Sequence, residues 1–196
     1  DPYVNNFFYD SDRNIVVPGD ELSEGMDHLP GEGAYRSGDK IISNRVGLFN
    51  LDGRLCKVIP LTGRYIPKYG DMVIGKIVDI AFNNWKIDFG WPFMGILSLK
   101  EASREYIENG ADLSKFYAID ETVLAKIVNV TGSRIIELSM TAPGARKLKS
   151  GLIVDCNPAK VPRIIGRQGS MIMLIKENTG CNIFVGQNGK VWINGD

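Results

Sequence analysis

One short phrase recurs along this chain and limits what it can fold into. A Gly-Asp turn signal followed by alternating apolar residues stands at 18–22, 37–42 and 69–74, with a looser copy at 119–123. Glycine and aspartate favour tight turns, and alternation turns one side of an extended segment toward a core. Strands this short and this frequent predict small β barrels.

Length and composition narrow the class of protein. The 196 residues suffice for one large domain or two to three small ones, and 23% charged residues is typical of a soluble globular chain. No apolar run approaches the ~20 residues that cross a bilayer, and the first residues do not resemble a signal peptide. Cys56, Cys156 and Cys181 form no C-x-x-C pair, which predicts reduced thiols and a cytoplasmic location.

A net charge of zero hides an asymmetry between the two ends. Residues 1–33 carry eight acidic groups and one basic group, a net of −7. Residues 34–142 have twelve acidic and fourteen basic groups, and residues 143–196 have three acidic and eight basic groups, giving +2 and +5. The basic C-terminal part suggests a phosphate-binding partner, although a solvated face explains any single charge run equally well.

Turn-forming proline and glycine residues divide the first part of the chain into segments. We expect residues 1–13 to be an extension and residues 14–66 to form a small β module. Its strands are predicted at 40–48 and 54–60, with a hairpin turn at Asp52-Gly53.

Residues 67–141 predict an OB-type Greek-key barrel. The pattern gives five strands with a helix at 100–109 between the third and the fourth, where Ala102, Tyr106 and Ile107 share a face. The strands are predicted at 71–82, 85–89, 94–99, 123–130 and 134–140. Residues 142–149 are predicted as a linker.

Residues 150–196 predict a β-α-α-β-β module. A strand at 151–157 is followed by a short helix at 161–165 and by a second helix that Ser170 caps and Gly180 ends. A hairpin formed by 181–185 and 190–193 closes the module. Between the helices lies Gly166-Arg167-Gln168-Gly169. This order resembles a type I KH domain without its final helix, so the expected fold class is mainly β with α+β.

The glycine loop has its own chemistry. Glycine allows another backbone to approach closely, the N–H groups at a helix start attract phosphate, and Arg167 adds a charge. In KH domains such a G-x-x-G loop holds the backbone of about four nucleotides. An ordinary glycine turn between two helices is the competing interpretation.

Aromatic residues gather on the second and third barrel segments. They are Phe82, Trp85, Phe89, Trp91 and Phe93, with Lys76 and Lys86 nearby. Exposed aromatic rings stack on bases without reading sequence. Alternation places Trp85, Ile87 and Phe89 on one face and Lys86 on the other, so we expect two of the five rings to be exposed and the others to be core.

Nothing in the sequence forms a catalytic set. His28 is the only histidine, no Walker-type phosphate loop is present, and paired acids stand at turns. Asp79 and Asp88 are isolated carboxylates on predicted strands, and such carboxylates are more often solvated than bound to a metal. We therefore expect no catalysis, no cofactor and no metal.

The barrel segment resembles the OB domain first described in ribosomal protein S1. The similarity rests on Gly70-Asp71-x-Val73-x-Gly75-Lys76-Ile77, on Gly95-Ile96-Leu97-Ser98-Leu99, and on a last strand beginning at Arg134. Phe82-Asn83-Asn84-Trp85 occupies the place of the family's aromatic-Gly-x-aromatic segment but departs from that pattern. Arg134 matches an arginine of the family.

The order of the three modules is similar to the RNA-binding cap subunit of the exosome, of the ribosomal-RNA-processing-protein-four type, in its archaeal form. Val17-Pro18-Gly19-Asp20 opens the first module as in that family. The hairpin carries Gly186-Gln187-Asn188-Gly189, resembling the family's G-x-N-G signature, which we expect to shape the hairpin or an internal interface.

This resemblance implies a noncatalytic subunit, present in three copies on a hexameric ring that degrades RNA 3′→5′ by phosphorolysis. Such caps line the opening of the pore, bind single-stranded RNA and feed it inward. The predicted RNA-binding residues are Gly166, Arg167, Gln168, Gly169, Lys86, Trp85, Phe82 and Arg134.

Three other functions stay open. A transcription elongation or antitermination factor also combines S1 and KH domains, but its KH modules have a different order of elements. Polynucleotide phosphorylase uses both domains in the opposite order, behind catalytic domains. A purely structural ring clamp is the third.

Overall fold

The computed structural model describes residues 15–61, 63–133 and 135–195, and it separates into two compact units at Gly63 and Arg64. The predicted extension at 1–13 and Arg134 lie outside the described residues. Among the described helices, none combines the length and the apolar character that a membrane span requires.

The first unit consists of two small sheets. Between residues 15 and 61 the strands are β1 (Ile15–Val16), β2 (Glu21–Glu24), β3 (Leu29–Pro30), β4 (Ala34–Ser37), β5 (Lys40–Ser43), β6 (Gly47–Asp52) and β7 (Leu55–Pro60). One sheet has the order β1-β6-β7-β3 and the other the order β2-β5-β4. Val16, Leu22, Ile41, Cys56 and Val58 form the buried core of this unit.

Two sequence predictions for this unit need adjustment. The single strand predicted at 40–48 is wrong, because β5 and β6 belong to different sheets. The chain bends between them, where the Ser43 hydroxyl donates to the carbonyl of Arg45 at 2.7 Å. The hairpin of β6 and β7 is confirmed, but Asp52 pairs with Leu55, so its turn is Gly53-Arg54, one residue later than predicted.

A closed five-stranded barrel begins the second unit, as predicted. Its strands are β8 (Met72–Ile80), β9 (Asn84–Asp88), β10 (Gly95–Ser98), β11 (Thr122–Val130) and β12 (Ile136–Ser139). Their order is β12-β10-β9-β8-β11, and the pairing of β11 with β12 closes the barrel. β10 and β12 are parallel, and the other pairs are antiparallel. Alternating apolar residues from every strand fill the interior.

The prediction of a helix at 100–109 is wrong for most of that range. Helix α1 (Leu99–Ala102) is only four residues long. The carbonyl of Ala102 accepts the hydroxyl of Tyr117 at 2.9 Å, and the Ser103 hydroxyl accepts the N–H of Glu105 at 3.0 Å. These side-chain bonds replace the next helical turn, while Ile107 is still buried in the barrel core.

The segment predicted as a linker at 142–149 contains a strand. β13 (Arg146–Leu148) pairs antiparallel with the beginning of β11. Proline and glycine at 143–144 suggested an irregular segment, but the pairing partner lies more than twenty residues away in sequence and leaves no local signal. The barrel sheet is thereby extended to six strands.

The C-terminal part has the predicted β-α-α-β-β order. Its elements are β14 (Leu152–Asp155), a 3-10 turn (Pro158–Lys160), α2 (Val161–Ile165), a second 3-10 turn (Arg167–Gly169), α3 (Ser170–Thr179), β15 (Asn182–Val185) and β16 (Lys190–Asn194). The antiparallel sheet has the order β14-β16-β15. Gly180 ends α3 as predicted, with φ 68° and its N–H on the carbonyl of Lys176. Ser170 is not the cap, because it is the first residue of α3 and Gly169 precedes it.

Candidate nucleic-acid interface

The glycine loop has a fixed backbone shape. Gly166 has φ 75° and ψ 174°, Gln168 has φ 52° and Gly169 has φ 79°. A side chain at Gly166 would lie 2.7 Å from the backbone nitrogen of Met171, so the loop and α3 approach too closely for any Cβ. The middle residues Arg167 and Gln168 are exposed and free to meet a ligand.

The loop lies in a basic part of the KH domain. Lys160, Arg163 and Arg167 stand within eight residues of one another, and no acidic residue occurs between Asp155 and Glu177. All three cations are exposed. The N–H groups of the first turn of α3 add a partial positive charge at the end of the loop. Local charge and backbone shape therefore both suit a phosphodiester chain.

The aromatic residues of the barrel separate as alternation predicts. Trp85, Ile87 and Phe89 are buried in the core, and Trp91 packs partly against it. The expectation of two exposed rings is confirmed, since Phe82 is 78% exposed and Phe93 is 42% exposed.

The prediction that Trp85 binds RNA is wrong. Its ring is fully buried, it makes an edge-to-face contact with Tyr117, and its indole N–H donates to the carbonyl of Tyr117 at 3.0 Å. The signal that could have separated this core ring from Phe82 is the alternation that places Trp85 on one face with Ile87 and Phe89. Phe82 occupies the tip of the β8–β9 hairpin, where the N–H of Ala81 donates to the carbonyl of Asn84 at 2.8 Å. It is the ring of this hairpin that is placed to stack on a base.

Lys86 lies on the outer face of β9, four residues beyond Phe82. Its ammonium group contacts the carboxylate of Asp79 at 2.9 Å, and both side chains are about half exposed. The hydrogen bond from Lys86 lowers the pKa of Asp79 below its usual value. Lys86 is thus available to a phosphate only in competition with Asp79. Arg134, the remaining predicted barrel residue, lies outside the described residues.

The G-x-N-G signature forms an internal interface, as predicted. Asn188 is buried, and its amide bonds to the backbone of Ile74 and Phe89 in the barrel. Gln187 and Met72 exchange two further bonds, from the N–H of Gln187 to the carbonyl of Met72 at 2.8 Å and from the N–H of Met72 to Oε1 of Gln187 at 2.7 Å. The barrel and the KH domain are joined through five such hydrogen bonds.

Sequence reasoning missed the apolar half of this junction. Phe184 stacks on Trp192 with ring centroids 5.6 Å apart, and the guanidinium of Arg146 lies 4.7 Å from the Phe184 centroid. Trp192 also belongs to a buried cluster with Ile74 and Leu124 of the barrel. The apolar alternation of β15 and β16 could have indicated a buried face, but not the partner of that face.

Within the described ranges 15–61, 63–133 and 135–195, no three His, Cys, Asp or Glu side chains are grouped so that they could hold a metal ion. The three cysteines are free thiols, and burial raises the pKa of Cys56 and of Cys156.

Comparison with known proteins assigns each module. Family models match residues 13–62 as the exosome RNA binding protein RRP4 N-terminal domain, residues 64–129 as the RRP4 S1 domain, and residues 151–196 as a KH domain. A curated relative from Methanothermus fervidus, exosome complex component Rrp4, is 42% identical over 186 residues that cover 94% of this chain and 82% of the relative. This chain belongs to the Rrp4 family.

Two further comparisons agree with membership of the Rrp4 family. The exosome complex component Rrp4 of Pyrococcus horikoshii is 42% identical over 93% of this chain and 70% of its own length. A crystal structure of a candidate exosome complex RNA-binding protein matches with a TM-score of 0.61 and 32% identity, covering 68% of this chain and 77% of that one. The expected family and the three-part fold are confirmed.

Some relatives are considerably longer than this chain. It covers 62% of the Rrp4 protein of Methanobrevibacter smithii and 58% of that of Methanothermobacter thermautotrophicus.

Proposed function

We propose that this chain is a noncatalytic RNA-binding cap subunit of an archaeal-type exosome, which binds single-stranded RNA at the opening of the pore and feeds it to a phosphorolytic 3′→5′ ring. The observation that carries the proposal is the combination of an Rrp4-type chain with an exposed, basic G-x-x-G loop. The relatives are named exosome components, and that role is extended here to this chain.

Two separate surfaces would hold the RNA. The loop at residues 166–169 meets phosphates in the basic part of the KH domain, and Phe82 offers a ring for a base at the β8–β9 hairpin of the barrel. Both belong to one rigid unit, since Asn188 and Gln187 fix the KH domain to β8. A strand bound by both surfaces would be held in one direction, which suits a subunit that guides RNA.

The assignment of a noncatalytic role rests on the same features. The side chains that face solvent in the candidate interface are a ring, amides and cations, which bind and orient a strand but do not move protons near neutral pH. Hydrolysis or phosphorolysis would then belong to the ring subunits. Three copies on a hexameric ring, docking of the first unit on that ring and a cytoplasmic location are parts of the proposal.

Reconstitution tests this function directly. The full chain would be mixed with the phosphorolytic ring subunits of the same organism, and the complex would be isolated by size exclusion and weighed. We expect three copies per ring and faster phosphorolysis of oligo(A) by the complex than by the ring. The chain alone should release no nucleoside diphosphate in phosphate buffer.

Each outcome decides a separate part of the proposal. A chain that binds RNA polymerase and not the ring would instead support the elongation-factor alternative. A chain that joins the ring without binding RNA or changing the rate would be a structural clamp. Nucleotide release by the chain alone would overturn the noncatalytic assignment.

A further inference from the structure

A cleft of about 270 Å³ opens where the barrel meets the KH domain. It lies beside the beginning of β11, the end of β13 and the first strand of the KH sheet. Its lining includes Asp120, Glu121, Lys147, Lys149, Gly151 and Trp192. None of these residues belongs to the G-x-x-G loop or to the aromatic hairpin of the barrel.

One of the two lysines that line this cleft makes no ion pair among the described residues. Glu121 is bound by the ammonium of Lys147 at 2.8 Å and accepts the N–H of Ala118 at 3.1 Å. Asp120 lies 3.7 Å from the ammonium of Lys76. Lys149 is exposed and makes no ion pair with any residue in the described part of the chain. Lys76 lies outside the lining and Lys147 lies within it, and together they engage both carboxylates, which leaves the ammonium of Lys149 for a ligand.

A second donor faces the same space. Trp192 is 8% exposed, and its indole N–H has no acceptor among the described residues. A side chain at Gly151 would lie 2.7 Å from that nitrogen, so glycine at this position keeps the indole edge open. An indole N–H can only donate a hydrogen bond, and this nitrogen is not among the fully buried atoms of the described residues that lack a partner, so it is open to an acceptor in the cleft. The cleft therefore supplies a fixed donor that calls for an acceptor atom.

The cleft is built on rigid parts. The Trp192 ring is held by stacking on Phe184, and the amide of Asn194 donates to the carbonyl of Ser150 at 3.0 Å, which fixes the backbone next to Lys149. Lys147 is held by Glu121 and lies 4.9 Å from the centre of the Tyr117 ring. Preorganised donors of this kind bind an anion without the loss of conformational entropy that ordering mobile side chains would require.

We infer that this cleft binds one phosphodiester group of single-stranded RNA, with Lys149 as the charge partner and the Trp192 indole as a hydrogen-bond donor. A phosphodiester carries one negative charge, which suits the one unpaired ammonium group, and its two free oxygens can accept both bonds. The inference rests on the proposed RNA-binding function and adds a third contact to its two surfaces. RNA is favoured over an acidic peptide because the cleft belongs to the same rigid unit as the glycine loop.

The test compares matched variants of the full chain. Lys149→Gln removes the free charge, and Trp192→Phe removes the N–H while keeping a ring to stack on Phe184. Lys100→Gln is the control, since Lys100 is an exposed lysine of α1 that lines no part of this cleft. Binding of a fluorescent 20-nucleotide oligo(A) is measured by anisotropy over a range of salt concentrations, with melting temperatures recorded for each variant.

We expect Lys149→Gln to weaken binding about tenfold or more, because one charge-assisted bond is lost. It should also reduce the slope of log K against log salt by about 0.7, the value for one phosphate contact on a single strand. Trp192→Phe should weaken binding roughly threefold, the size of a neutral hydrogen bond. Lys100→Gln should change binding by less than about twofold, since a distant exposed charge is screened.

Equal effects of Lys149→Gln and Lys100→Gln would overturn the inference, because the loss would then be general electrostatics. Unchanged binding by Lys149→Gln would overturn it as well, and if that variant instead lost association with the ring, the cleft would be a protein contact. If the Trp192→Phe variant does not fold, the Lys149→Gln variant alone tests the inference. Failure of the unaltered chain to bind oligo(A) would count against the proposed function itself, which separates the two failures.

Discussion

Asn188 pairs with the backbone of Ile74 as a neighbouring strand would. Its Nδ2 donates to the carbonyl of Ile74 at 2.8 Å, and its Oδ1 accepts the N–H of Ile74 at 3.2 Å. The same Nδ2 donates to the carbonyl of Phe89 at 2.7 Å, just past the end of β9. One side chain of the KH domain therefore fills the gap where β8 and β9 separate, and it satisfies three backbone groups of the barrel.

The first prediction concerns this amide. Asn188→Ala would leave those three groups without a partner at a buried junction, where each unsatisfied group costs about 1–3 kcal/mol. We expect the free energy of unfolding in urea to fall by roughly 3 kcal/mol, with faster hydrogen exchange at the amide of Ile74. Asn109→Ala, at an exposed position, is the control and should change stability by less than about 0.5 kcal/mol. An unchanged exchange rate at Ile74 would contradict the bonding described here.

The second prediction separates the two aromatic residues of one hairpin. Phe82→Ala should weaken oligo(A) binding, because a stacked base contributes ~1–3 kcal/mol, and should leave the melting temperature unchanged. Trp85→Ala should lower the free energy of unfolding by ~3–5 kcal/mol, because it empties the centre of the barrel core. Binding isotherms and urea unfolding curves check both. A lower free energy of unfolding for Phe82→Ala, or a higher one for Trp85→Ala, would reverse the roles assigned to the two rings.

The third prediction tests the glycine loop without straining it. Because Gly166 has no room for a Cβ, the substitutions are placed at the exposed middle positions, Arg167→Asp together with Gln168→Asp. Two negative charges there should repel the RNA backbone and weaken oligo(A) binding more than tenfold at low salt, an effect of about 1.4 kcal/mol or more. The melting temperature should stay within a few degrees of the original.

A charge reversal on the first unit serves as the control for this loop. Arg54→Asp changes an exposed arginine in a hairpin turn of the residues 1–63 unit, outside the predicted RNA site. If it weakens RNA binding as much as the loop variant does, the loop is not a specific contact and overall charge explains the effect.

Local pattern predicted most of this fold, and long-range contacts explain what it missed. Alternation in 71–82 and 123–130 predicted two of the barrel strands, and the two helices around Gly166 predicted the KH order, because these signals lie within one element. The strand at Arg146–Leu148 could not be seen, since its pairing with β11 depends on a distant partner. Of the site, the glycine loop and Phe82 lie where the sequence suggests, whereas Trp85 belongs to the core face that it shares with Ile87 and Phe89.

The last prediction concerns Glu121, whose ion pair with Lys147 holds the strand β13 next to β11. Burial raises the pKa of this carboxyl, but the hydrogen bonds from Lys147 and from the N–H of Ala118, with the charges of Lys147 and Lys149, outweigh burial and leave the pKa below its ordinary value of 4.5. A carboxyl whose pKa is depressed on folding stabilises the protein above its unfolded pKa, and this stabilisation is lost as the pH falls through the folded pKa.

Glu121→Gln should therefore lower the melting temperature near pH 7, and the difference from the unaltered chain should shrink as the pH falls through the lowered pKa of the folded state, toward zero once the carboxyl is protonated in both states. Melting curves recorded at intervals from about pH 7 to about pH 3 measure the difference. Glu105→Gln, which changes an exposed glutamate on the loop after α1, should give a small difference that does not depend on pH in this way. A difference for Glu121→Gln that stayed constant down to the lowest pH would mean that its loss acts through packing, because a lost ion pair must disappear once the carboxyl is protonated in both states.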